Sequence, residues 1–149
     1  MALEVARNAE ALAEQMLSDA YELVLSGWCQ GAGARDELGR PIEPSSAFAR
    51  RWSPSGALER VWRRSSGDPD EALEAFERAN LALAAAIKDV PERWNDSPFR
   101  THAQVLDVLI DAHRFLVLTP PEPLAVVEDL LDSLDRDDVI PRLLFEQPS

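Results

Sequence analysis

Two short stretches hold most of the residues that could do chemistry, "GWCQGAGARDELGRP" at 27–41 and "WNDSPFRT" at 94–101. Between them they supply Trp28, Arg35, Asp36, Trp94, Asn95, Asp96 and Arg100, with Arg51 close by in "ARRW". If the two stretches meet, Trp28 and Trp94 could wall a pocket and Arg35 and Arg100 could hold an anionic group. Asp36 or Asp96 would then be placed to act as general acid or base. The same residues also have structural uses. Asn95 and Asp96 ahead of Ser97–Pro98 are good turn formers, and Thr101 with Gln104 has capping-box spacing. Trp94 after Pro91 reads as a core plug, and Arg100 as a partner for Asp96 or another carboxylate. Caps and turns account for most of this stretch, and the pocket stays open as the alternative.

Other residues carry less. Cys29 is the single cysteine, so no intrachain disulfide or thiolate zinc cage can form. Beside Trp28 it reads as a small buried hydrophobe and not as a nucleophile, which would need a nearby base. The glycines at 27, 31, 33 and 39 lack the strand–glycine–helix order of a phosphate cradle. Of the two histidines, His113 shares a helix face with Leu106 and Leu109 and is the better candidate for burial. Two histidines and no Glu-x-x-His pair leave no metal centre to predict, and no cofactor is expected.

The elements that must position these residues read as helices. Val5, Ala9, Leu12, Met16, Ala20 and Leu23 recur at three- and four-residue steps over 3–26. A two-stranded ribbon or structured loop is expected near 30–43, turning at Gly39. Ser45 or Ser46 could cap a short helix through Trp52, with Pro54 breaking it or opening the next one. Asp68, Pro69 and Glu71 announce a helix whose seam is read as Leu73, Phe76, Asn80, Leu83, Ile87 and Val90. A further helix covers 101–118. The fold class is therefore all-α: a compact bundle of five to six helices, organised as a helical domain over 1–118 and an acidic C-terminal helix and tail over 119–149.

Charge narrows the function classes. The chain carries a formal charge of −12, which argues against nucleic-acid binding through a basic surface. Residues 119–149 hold eight acids and two arginines, half of that net charge. There the acids interleave with Leu130, Leu131, Leu134, Val139, Ile140, Leu143, Leu144 and Phe145, the pattern of an amphipathic partner-binding segment. No run is apolar enough to span a membrane, and the start lacks the apolar core of a signal peptide, so the cytoplasm is the expected compartment. The expected function is a non-enzymatic interaction or regulatory protein that binds a protein partner through this segment. A small-molecule-binding or enzymatic domain is the alternative.

The motifs also resemble a family of small bacterial proteins, frequent in actinobacteria and classed as a domain of unknown function. Its pattern is met here by Gly27, Trp28 and Gly31, by Arg35, Asp36, Gly39, Arg40 and Pro41, by Arg51, Trp52, Gly56 and Ala57, and by Trp94, Asn95, Asp96, Pro98, Arg100 and Thr101. The resemblance covers about 5–118 and brings no assigned reaction. It implies that the two polar stretches belong to one unit and touch. Arg100 with Asp36, or Asp96 with Arg35 or Arg51, would be the economical pairs. "SPSG" departs from the pattern through a proline in what would be a continuous helix.

Overall fold

The computed structural model describes residues 2–118, with side chains from Asn8 onward. The eight candidate partner-binding residues, Leu130 to Phe145, lie outside the described residues. Within them the chain forms five helices and one short ribbon: α1 (Ala2–Ser26), β1 (Ala34–Arg35), β2 (Arg51–Trp52), α2 (Pro54–Arg63), α3 (Pro69–Ile87), α4 (Pro91–Asn95) and α5 (His102–Leu118). The α1, α3 and α5 helices pack against one another as a three-helix core, and α2 lies across α1 and α3. None of these helices is long and apolar enough to cross a membrane.

The core is built on alanine. Ala9, Ala13 and Ala20 of α1 share one buried cluster with Ala72, Ala75, Ala79 and Ala82 of α3 and Ala112 of α5. Small side chains let helix axes approach closely. Met16, Leu17, Val24, Leu58, Leu83, Val105 and Leu109 fill the volume that remains. This explains why α3 buries only part of the expected seam: Leu83 and Ile87 are buried and Phe76 packs on the core, but alanines take the remaining inward places. Its seam runs through Ala72, Ala75, Ala79, Ala82, Leu83 and Ile87, while Leu73 and Val90 are 44% and 49% exposed. Alanines at the same three- and four-residue spacing face inward, and Asn80 bonds only to the Phe76 carbonyl of the preceding turn (3.1 Å).

Helix starts follow the capping residues. Asp68 accepts from the Asp70 amide with Pro69 in the first turn of α3. Thr101 and Gln104 form the expected reciprocal box at the head of α5 (3.0 and 3.2 Å). Pro54 breaks no helix: it sits in the first turn of α2 behind Ser53, whose Oγ accepts from the Gly56 amide (3.0 Å).

Residues 45–52 form no helix. The segment runs as tight turns and enters β2, whose Arg51 and Trp52 pair antiparallel with Arg35 and Ala34. Its carbonyls find partners outside a helix, because Arg60 Nη1 donates to those of Pro44 and Ser46. The expected turn does form at Gly39, at φ +83°, but only Arg35 and Pro41 bridge across it. The ribbon partner comes from beyond it. The stretch after Pro91, read as a loop, opens with the short helix α4.

Candidate functional site

The two motif stretches meet at one junction. Gly27 follows α1, and its carbonyl accepts from the Trp52 amide (3.0 Å) while the Cys29 amide donates to the Trp52 carbonyl (3.2 Å). That strap aims the 28–31 loop at the C-terminal end of α4. There Trp28 Nε1 donates to Asn95 Oδ1 (2.7 Å), and Asn95 Nδ2 donates to the Cys29 carbonyl (3.0 Å). Gln30 Nε2 donates to the carbonyls of Asn95 and Ser97, both at 2.8 Å, and the Gly31 amide donates to Asp96 Oδ1 (2.8 Å). The last carbonyls of a helix lack intrahelical donors. Gln30 supplies a donor to the Asn95 carbonyl from the other motif while Trp28 holds the Asn95 side chain, and Asn95 is 1% exposed.

Around this weld the charged candidates turn to backbone and rings. Arg35 donates to the carbonyls of Gln30 (3.1 Å) and Gly39 (2.8 Å), bracing the loop from inside. The Asp36 carboxylate accepts from the amides of Leu38 and Arg40 and from Arg40 Nε (2.8 Å). Those donors, the Arg40 amide first, hold its carboxyl below the usual range against the opposing effect of burial. Arg51 reaches the Asp36 carbonyl at 3.4 Å. Arg100 lays its guanidinium 3.9 Å from the Trp94 ring centroid and donates Nε to the Trp94 carbonyl (2.9 Å).

Residues 9–115 match DUF6197, a family of unknown function. The chain belongs to that family. No curated protein and no solved structure matches it. The DUF6197 match takes in the bundle, the ribbon and both motif stretches. Residues 119–149 fall outside it.

Within this DUF6197 domain the expected contact between the motifs is made, but not by the expected pairs. Arg100 bonds neither Asp36 nor Asp96, and Asp96 bonds neither Arg35 nor Arg51. Side-chain amides, which donate and accept, and an indole, which donates, make the link at a buried helix end without burying net charge. Trp28, Arg35, Asn95 and Asp96 are drawn into the one junction. Asp36 and Arg51 sit one layer out on the ribbon, and Trp94 with Arg100 close the far side.

Two residues were missed or ranked wrongly from the sequence. Gln30 makes two of the bonds that join the motifs, and its place inside Gly-Trp-x-x-Gly was the only available signal. His102, not His113, is the histidine at the junction. Its Nε2 lies 2.6 Å from the Val24 carbonyl and its ring stacks on Trp28 at 5.9 Å and 17°. A carbonyl only accepts, so Nε2 carries the proton. His113 is half-buried beside Leu17, Tyr21 and Leu109. Cys29 is buried as expected, and desolvation pushes its thiol pKa up against the pull of Arg35 and Arg51.

An open cleft of about 300 Å³ lies against the junction, between the 31–33 loop, the start of α2 and α4. Of the eight candidate ligand-binding residues only Asn95 and Asp96 reach it, and Glu59 and Glu92 share its lining. No arginine lines it, so an anionic group would find no cation there. Among the described residues no group of His, Cys, Asp or Glu side chains could hold a metal ion.

Proposed function

We propose that the chain is a binding protein without a catalytic step of its own: a helical platform that presents residues 119–149 to a protein partner with a basic surface. The observation that carries this reading is the segregation of charge. Half of the net −12 lies in 119–149, where acids alternate with Leu, Val, Ile and Phe. A segment of that composition gains contact area from its apolar side chains, and its charge speeds encounter with a cationic partner.

The junction supports the non-enzymatic half of the reading. The motif residues that might have formed a pocket hold one another and the backbone, and the buried thiol is kept protonated. The design is that of a scaffold whose loops are locked. A cytoplasmic, regulatory setting is part of the same proposal.

The test is capture from host lysate with the full chain, a chain ending at Leu118, and a full chain with Asp129, Asp132, Asp137 and Asp138 changed to Asn. One partner retained by the first alone, and released as salt rises, is the expected result. Equal capture by all three would overturn the proposal.

A further inference from the structure

Three arginines close around one short loop. Arg50 Nη1 donates to the carbonyls of Ala47 and Ala49, both at 2.9 Å. Arg60 Nη1 donates to those of Pro44 (3.0 Å) and Ser46 (2.8 Å), and Arg64 Nη2 to that of Ser45 (3.1 Å). The trio is gathered by backbone oxygens, which orient guanidiniums without neutralising them. Among the described residues, the ion pairs belong to Arg40, Arg63, Arg78, Arg93 and Arg114, and none to these three. Burial, and then the charges of Arg64 and Arg50, lower the pKa of Arg60. In an acidic chain this is a cluster of three guanidiniums without an ion pair among the described residues.

The cluster has an apolar companion. Phe48, within the encircled loop, is 69% exposed. A groove of about 470 Å³ is lined by the half-buried Leu12, Leu23 and Val61, with Arg60 and Arg64 on its wall. Asp19 and Glu22 also line it, so its charge is two-sided. A complementary ligand would carry acids beside apolar side chains, with an occasional arginine.

Residues 135–146, "DRDDVIPRLLFE", have that make-up. Asp135, Asp137 and Asp138 precede Val139 and Ile140, and Arg142 precedes Leu143, Leu144 and Phe145. They also lie within reach. The stretch from Leu118 to Asp135 spans roughly 25 Å as a helix and roughly 55 Å when extended, against a domain roughly 35 Å across.

We propose that the arginine trio and its neighbouring groove are the docking site of residues 135–146 of the same chain. The trio takes the aspartates, and Phe48 with the groove takes the apolar run. This rests on reading the C-terminal segment as a binding element and adds a regulation to it. A basic partner must compete with the chain's own arginines, and tethering favours the internal contact.

A photo-crosslinking experiment on the full chain tests this without any partner. Phe145 is replaced by a benzophenone amino acid, the protein is irradiated at micromolar concentration, and cross-linked peptides are identified by mass spectrometry. Cross-links within one chain to residues 44–64 are expected, falling at least fivefold in 500 mM salt and in R50E/R64E. Adding D137R/D138R to that variant should restore them in part. Should R50E/R64E fail to fold, R64Q removes a single loop contact and should still lower the yield.

Cross-links scattered over the surface, absent, formed only between two chains, or indifferent to these charge changes would overturn the proposal. Because no partner is present, failure here is separate from failure of the capture experiment.

Discussion

At the scale of single residues, Asn95 ties the two motifs together. It is buried, accepts from the Trp28 indole and donates to the Cys29 carbonyl. Asn95→Ala leaves both of those groups without a partner in the interior, which costs about 2–4 kcal/mol. Urea unfolding should show that loss, with an altered Trp28 emission. Asp36 gives a pH signature. Its carboxyl is held below the usual range, so it stabilises the fold above that range and the contribution is lost as pH falls through its folded pKa. Glu10, raised chiefly by burial against the pull of Arg78, acts in the opposite sense and weakens the fold as pH rises above about 4.5. Asp36→Asn should therefore flatten the decline in stability below about pH 4, measured as Tm against pH. Residue roles of this kind were partly legible beforehand. The capping box of Thr101 and Gln104 and the turn at Gly39 were readable because local spacing decides them, and the burial of Cys29 followed from its residue type. The partners of Asp96 and His102 were not, because each is backbone that the fold brings from elsewhere, and Arg100 turns to the Trp94 ring and carbonyl of its own stretch in place of a carboxylate.

At the scale of elements, the start of α2 rests directly on the glycine-rich loop. A Cβ at Gly56 would stand 1.8 Å from the Gly33 carbonyl oxygen and 2.6 Å from its carbon. Alanine normally favours a helix interior over glycine by about 1 kcal/mol. Here Gly56→Ala must drive loop and helix apart, and overpacking of this kind costs about 1–3 kcal/mol. A net loss in urea unfolding, where propensity alone predicts a gain, is the expected outcome. The helices themselves were legible from periodicity and caps: α1 and α5 lie within a residue of the expected bounds, and α3 ends three residues before the expected Val90. Two elements were not. The 45–52 segment carries serine caps and helix-forming alanine, yet Arg60 and β1 satisfy its backbone from outside. In α3 two stripes have the same spacing, and the smaller side chains face inward because they allow closer contact.

For the whole molecule, one buried cluster runs from Ala9 to Leu116 among the described residues, close to the span that the family match covers. A chain ending at Leu118 should therefore unfold cooperatively, with a Tm within about 5 °C of the full chain, as followed by circular dichroism. The weld between the motifs has a temporal side as well. Its bonds join residues 65 to 67 positions apart, whereas most of the bundle's hydrogen bonds are local to a helix. Contacts across such separations carry the entropy cost of closing a long loop, which slows their formation relative to helix contacts. The 28–31 loop is thus a late-closing latch. The Gly31 amide is exposed and is held by the Asp96 carboxylate alone, so its hydrogen exchange should report local parting of the two motifs well below the free energy of global unfolding.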